Sequence, residues 1–303
     1  MFIIKYRKIF YSISVVLIGL SVYAISTFGL NLGIDFKGGS IIEVRYPVAS
    51  TSTAPAVTSE TVKQSLEALN LGEYVVRQAG EDGFIIRTKA LDELTRRQVI
   101  QTLGGEVKRF DSVGPILGKE LQGKAIWSIV LVLLAIVIFI TFAFRGVSRP
   151  ISSWKYGVVA IVALFHDVIV PTGIFSYLGR NGGYEVDALF VTALLVILGF
   201  SIHDTIVVFD RTRENLKTIG FGSGKKSFDE IVGMSVTQTI TRSINTSLTT
   251  VLALVAIYVF GPATTQNFSL TLIIGIVVGT YSSIFIGSPL LVTWYKWQER
   301  KTK

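Results

Sequence analysis

Two His-Asp pairs, His166-Asp167 and His203-Asp204, sit inside stretches that are otherwise almost free of charge. Imidazole changes charge near neutral pH without any perturbation, and a carboxyl group withdrawn from water can carry a proton. An ionisable group at the middle of a membrane helix costs at least about 2.5–3.5 kcal/mol and by default marks a functional site. The chemistry that suits these four residues is therefore passage of protons or small cations. The competing reading is that they hydrogen-bond to neighbouring helices and hold a bundle together. Arg242 is followed by Asn245, Thr246, Ser247, Thr249 and Thr250. Arg242, Thr246 and Thr249 share one helical face, so the arginine either heads a polar stripe or snorkels to the interface. Asp210 lies within helical reach of Arg213 and reads as a solvated ion pair. The chain has no cysteine, hence no thiol nucleophile, disulfide or Cys-ligated zinc. Two histidines leave little material for a transition-metal site, so neither a metal nor a cofactor is expected. Asp167 and Asp204 as a protease dyad would need a Gly-x-Gly-Asp context that is missing, and no enzymatic activity is expected.

These residues need membrane helices to hold them. Half of the 303 residues are hydrophobic and mean hydropathy is +0.56. Only 17% are charged, against about 25% in an average soluble domain. That excludes a disordered chain and an ordinary cytosolic enzyme. A bilayer core about 30 Å thick takes some 20 largely apolar helical residues. Candidates run over 9–30, 125–144, 156–178 and 188–209. From Ser243 to Tyr295 there are 53 residues without a charge, and Gly261-Pro262 divides them into two spans. The expected total is six. The apolar core of the first is longer than the 7–15 residues of a signal peptide, so it reads as a retained anchor.

Orientation follows from Lys and Arg in short loops. Lys5, Arg7 and Lys8, then Arg145, Arg149 and Lys155, then a cluster from Arg211 to Arg242, then Lys296 to Lys303 all fall on one side of a six-span layout. Both termini are expected in the cytoplasm. Segment 31–124 lies outside, with 12 basic and 12 acidic residues, so the net charge of +8 belongs to the membrane part. No basic face of the kind that binds nucleic acid is evident. The expected organisation is 1–30 for the N-terminus and first span, 31–124 for the outer domain, 125–295 for spans two to six, and 296–303 for the tail.

Within 31–124 the pattern is strand (40–46), a Ser/Thr/Pro-rich loop (47–55), helix (58–69), strands (73–78 and 83–88), helix (91–103) and strand (106–113). This βαββαβ order predicts a small ferredoxin-like domain, which by itself assigns no activity. A binding or mechanical role fits it better than chemistry, because it contains no histidine and no catalytic cluster. In the last span Gly275, Gly279, Ser283 and Gly287 recur every four residues, the spacing of a small-residue packing face.

Gly33-Ile34-Asp35-Phe36-Lys37-Gly38-Gly39-Ser40, directly after the first span, resembles the Asp-Phe-x-Gly-Gly signature of the SecD/SecF family. The run Leu198 to Asn215 resembles the fourth-span motif of its SecF members, and His166-Asp167-Val168, Thr241 to Ser243 and Thr246 to Thr250 match further positions. One departure is His203, where members commonly carry asparagine. The resemblance runs from the first span to the last. It implies a polytopic α-helical membrane protein whose six-span bundle corresponds to one half of an RND transporter. It implies an accessory subunit of the bacterial Sec protein translocase in the cytoplasmic membrane, using the proton motive force. The partners it implies are SecD, SecYEG, the translocating polypeptide and membrane lipid, with YidC and SecA nearby and no nucleic acid. By motif, Asp204 and Arg242 are the residues implicated in proton-coupled work, with His203, His166 and Asp167 beside them. Gly33, Asp35, Phe36, Gly38 and Gly39 form the family motif and a hinge. The rival readings are half of an RND-type small-molecule exporter and a structural scaffold of a membrane complex.

Overall fold

The computed structural model describes residues 2–46, 57–80, 82–145, 151–220 and 226–302. In chain order the elements are α1 (Phe2–Lys5), α2 (Arg7–Phe28), α3 (Ile34–Lys37), β1 (Gly39–Arg45), α4 (Ser59–Glu67), β2 (Tyr74–Ala79), β3 (Gly83–Thr88), α5 (Glu93–Leu103) and β4 (Glu106–Val113). There follow α6 (Pro115–Ala143), α7 (Ser153–Gly182), α8 (Ala188–Ile219), α9 (Phe228–Phe260) and α10 (Ala263–Ser282). A π-helical turn, Ser283–Gly287, then leads into α11 (Ser288–Thr302). Contacts divide the chain into two units, Leu32–Ile126 and the remainder. Position 149 and the loop at 47–55 lie outside the described residues.

Among the described residues of the membrane unit, six helices are long and apolar enough to cross a bilayer: α2, α6, α7, α8, α9 and the continuous run from Thr264 to Lys301. Their ends follow the local chemistry. Asp187 caps α8 by accepting from the Phe190 amide at 2.7 Å. Ser227 and Glu230 form a reciprocal capping box at the start of α9. Gly261-Pro262 separates α9 from α10 as the sequence predicts. The helices α7, α8 and the last span bury roughly half of their apolar windows, while α6 presents most of its surface outward.

Small residues bring these central helices together. A Cβ at Gly275 would collide with Ile197, and one at Gly279 would lie 3.0 Å from Ser201 Cβ, so the four-residue repeat faces α8. Gly173 of α7 meets Ser21 of α2 in the same way. Elsewhere in the bundle, Tyr156 and Phe144 stack at 5.2 Å and Phe209 lies edge-on to both.

The second unit carries one sheet, ordered β2-β3-β1-β4, with every neighbouring pair antiparallel. The element order is the βαββαβ read from the sequence. Alternation places Ile42, Val44, Phe84 and Ile86 on the covered face, where Val62 and Leu66 of α4 and Val99 and Leu103 of α5 complete a buried core. Thr58 and Asp92 cap those helices from side-chain oxygens, and Gly104 ends α5 in the left-handed conformation at φ 63°.

The glycine motif lies at the edge of this unit. Gly33 starts α3, and Phe36 is buried. Gly38 has φ 78°, and a Cβ there would lie 2.9 Å from Pro115 backbone atoms. A Cβ at Gly39, φ 142°, would lie 2.8 Å from the Thr88 carbonyl oxygen. Gly118 in turn packs on Phe36 and Gly38. Both adjacent glycines are required by conformation and by close backbone approach.

Candidate functional site

Asp167 is wholly buried in the membrane unit. Its Oδ1 lies 3.0 Å from His166 Nδ1, while its Oδ2 accepts from Ser201 Oγ at 2.5 Å and Ser282 Oγ at 2.7 Å. One carboxylate thus joins α7 to α8 and to the end of α10. His166 is also buried, its ring 6.0 Å from that of Tyr281, and its Nε2 has no hydrogen-bond partner. The hydroxyl network continues around it. Thr205 Oγ1 and Ser283 Oγ lie 2.9 Å apart, and Ser283 Oγ also donates to the Ser201 carbonyl at 3.1 Å.

The π turn places this network. Ser282 immediately precedes it and Ser283 opens it, so their hydroxyls reach Asp167 and α8 respectively. Pro289 follows in the first turn of α11. A proline ring inside a helix clashes with the carbonyl four residues earlier, and a widened turn gives it room. Wide turns of this kind are frequent at functional positions.

Asp204 is one turn beyond Ser201 on α8 and 3% exposed. Its carboxylate faces Ser243 of α9 and feels its hydroxyl, but Asp204 Oδ2 and Ser243 Oγ do not close to a well-formed hydrogen bond. Among the described residues these are two of only a few buried side-chain oxygens without a partner. The charged or chargeable groups that act on Asp204 are His203 and Arg242. Both of those side chains are exposed on the bundle surface. Gln238, Arg242, Asn245, Thr246 and Thr249 are exposed together along α9, so the polar stripe read from the sequence exists and faces outward.

The candidate residues therefore fall into two groups. His166 and Asp167 form one with Ser201 and Ser282 in the interior; Asp204, His203 and Arg242 form the other where α8 meets α9. Sequence spacing places His203 about 100° round the helix from Asp204, so that it could help only through water or a third-span partner such as Asp167. The hydrogen bonds of Asp167 go to His166, Ser201 and Ser282, and His203 is exposed, which leaves the route through water. Asp210 pairs with Arg213 as expected. Ser201, Thr205, Ser243, Ser282 and Ser283 join the site without a role assigned to them from the sequence. Ser283 lies in the small-residue repeat, Ser201, Thr205 and Ser243 lie in the motif runs, and Ser282 has no such signal.

Comparison with known proteins gives consistent results. Residues 96–297 match the family described as protein export membrane protein SecD/SecF, C-terminal, and residues 23–46 match the SecD/SecF GG motif. The protein translocase subunit SecF of Thermobaculum terrenum is 41% identical over 96% of this chain and 93% of its own length. That of Anaerolinea thermophila is 41% identical over 95% and 92%. Among solved structures, SecDF of Thermus thermophilus, described as a translocon-associated membrane protein, superposes with a TM-score of 0.78 at 32% identity. The match covers 96% of this chain and 38% of that one. A SecDF crystallised in a super-membrane-facing form superposes at 0.67, with 31% identity over 99% of this chain and 39% of the other.

Proposed function

The chain belongs to the SecD/SecF family of protein export membrane proteins, and from that premise we propose that it works as an accessory subunit of the Sec translocase, drawing on the proton motive force to promote late steps of export. The single observation that carries the coupling is Asp204. Its carboxyl group is buried between two membrane helices, and its Oδ2 has no well-formed hydrogen bond, only a loose approach to the Ser243 hydroxyl. Buried polar groups are nearly always satisfied, so an acid left open in this setting suits exchange of a proton through water. Ionised, it has Arg242 as a counter-charge across the α8–α9 contact. Protonated, it takes a charge out of the bundle and lets the two helices repack, the local event a proton-driven switch requires.

His166 and Asp167 take the second place in the pathway, tying α7 to α8 one turn before Asp204. The outer unit meets the emerging polypeptide, and Asp35 to Gly39 form the hinge at its base. Both termini lie in the cytoplasm and the outer unit beyond a bacterial cytoplasmic membrane, in keeping with the basic loops. The relatives are named as translocase subunits rather than as enzymes, and no catalytic step is assigned. A SecD-like half completes the bundle beside SecYEG, with SecA and YidC in reach. The SecDF chains, more than twice as long as this one, contain room for such a half.

Translocation into inverted membrane vesicles, with and without an uncoupler, tests the coupling. Asp204→Asn should leave the protein assembled and the ATP-driven stage intact, and should abolish the uncoupler-sensitive stage. An Asn variant as sensitive to the uncoupler as the parent would make Asp204 structural.

A further inference from the structure

A cleft of about 620 Å³ opens where α1 and α2 meet the beginning of α9 and the end of α11. That volume is in the range of a small-molecule site. Its charge is lopsided. Lys5, Arg7, Lys8 and Lys296 line it against a single acid, Asp229. Asp229 is already engaged, by Lys296 and by Arg7 Nη1 at 3.9 Å. Lys5 and Lys8 have no ion pair among the described residues, and both are exposed. A surplus of about three positive charges therefore faces one hollow, with the ring of Tyr6 beneath Lys5 at 5.5 Å.

The position fixes what such a hollow meets. It lies at the end of α2 where the apolar span begins, hence at the level of lipid headgroups. Ile9 lines its lip, and Ile9, Ile13, Val16 and Leu20 continue away from it along one exposed face of α2, at spacings of four, three and four residues. A basic hollow that runs directly into an apolar helical track is complementary to one class of molecule, a negatively charged head joined to hydrocarbon chains. Basic pockets between membrane helices are known to take such headgroups.

We propose that this cleft is a binding site for the phosphate headgroup of an anionic phospholipid, whose acyl chains lie along α2. The cations would recognise the phosphodiester, and Tyr6 would sit at the interface where amphipathic rings are favoured. The proposal needs only that α2 crosses the membrane. It is independent of proton coupling, so either can fail without the other.

Native mass spectrometry of the full chain in mild detergent reads the binding, with dioleoyl phosphatidylglycerol and dioleoyl phosphatidylcholine as probes. The anionic phosphatidylglycerol should bind preferentially. At about 1 kcal/mol for each basic residue near a headgroup, Lys5→Gln/Lys8→Gln should weaken it by roughly thirtyfold, and Lys5→Arg/Lys8→Arg should preserve it. Arg300→Gln/Lys301→Gln removes the same charge from the tail outside the cleft and should have little effect. Equal binding of the two lipids, or equal loss in both Gln doubles, would overturn the proposal. Displacement of the lipid by inorganic phosphate at the same concentration would assign the cleft to a free ion and overturn it too.

Discussion

The contrast between the two buried acids lies in their partners. Asp167 accepts from Ser201 and Ser282, pairs with His166 Nδ1 and is satisfied in its place; Asp204 has an oxygen without a well-formed hydrogen bond and two chargeable groups at its edge. The first arrangement holds helices and the second invites exchange. Arg242 decides between these roles at the neighbouring site, because an exposed arginine on α9 either serves Asp204 or anchors the helix. If it serves Asp204 as a charge, Arg242→Lys keeps partial translocation activity and Arg242→Met loses most of it. Lysine and methionine are both long, flexible side chains, so equal activity of the two would remove the charge from the mechanism. Asp204 and Arg242 are legible from the sequence because an ionic residue stands out in an apolar span. The Ser201 and Ser282 hydroxyls are not, since serine is common in membrane helices and nothing local says which one faces a carboxylate.

The four-residue repeat in α10 reads from the sequence as a packing face without a partner; its partner is α8, with Ile197 over Gly275 and Ser201 over Gly279. Periodicity identifies a face but not what meets it, which depends on the crossing of two helices far apart in sequence. Gly275→Ala should overpack that contact and destabilise the membrane unit by about 1–3 kcal/mol. Adding Ile197→Ala should return most of the loss, as thermal unfolding in detergent would register. The π turn is beyond sequence reading, because no residue pattern distinguishes it from the α-helix on either side. In the outer unit, hydrogen bonds to Thr95 hold the Asp92 carboxyl below its ordinary range, and Arg97 and Arg96 do the same for Glu93. Groups held low when folded contribute stability above the ordinary carboxylate range and lose it as pH falls through the lowered values. The first turn of α5 should therefore keep its hydrogen-exchange protection above the ordinary carboxylate range, about pH 5, and fray progressively as pH falls through the lowered values. A protection pattern in α5 that is flat across this range would show that neither carboxyl supports the turn.

At the scale of the whole molecule, charge is divided unevenly between the outer domain and the membrane part. The outer segment 31–124 is neutral with 12 residues of each sign, and the entire +8 lies in the membrane part. Basic short loops and a neutral segment are the pattern the positive-inside rule expects, and this division of charge is fully legible in the sequence. What composition cannot convey is that one membrane helix keeps a polar side turned outward. Gln238 is held by Arg211 and Asn215, and the Thr246 and Thr249 hydroxyls bond within α9, but the Arg242 and Asn245 side chains, with His203 of α8, are exposed on the bundle surface, where hydrocarbon would meet them unless another protein covers them.

That outward polar side has a consequence for the life of the chain in a cell. Hydrocarbon cannot satisfy an exposed arginine or amide, so a solitary copy is strained for as long as it stays solitary. Membrane proteases and chaperones act on such orphans. Its abundance should then be set by its partner's supply rather than by its own rate of synthesis. Pulse-chase labelling in cells lacking the SecD-like protein should show normal synthesis and a shortened half-life, and Arg242→Leu/Asn245→Leu should lengthen that half-life again. An orphan as durable as the paired chain would mean that α9 is content among lipids. If the half-life does shorten, the polar side of α9 is also the mark by which the cell counts the subunit.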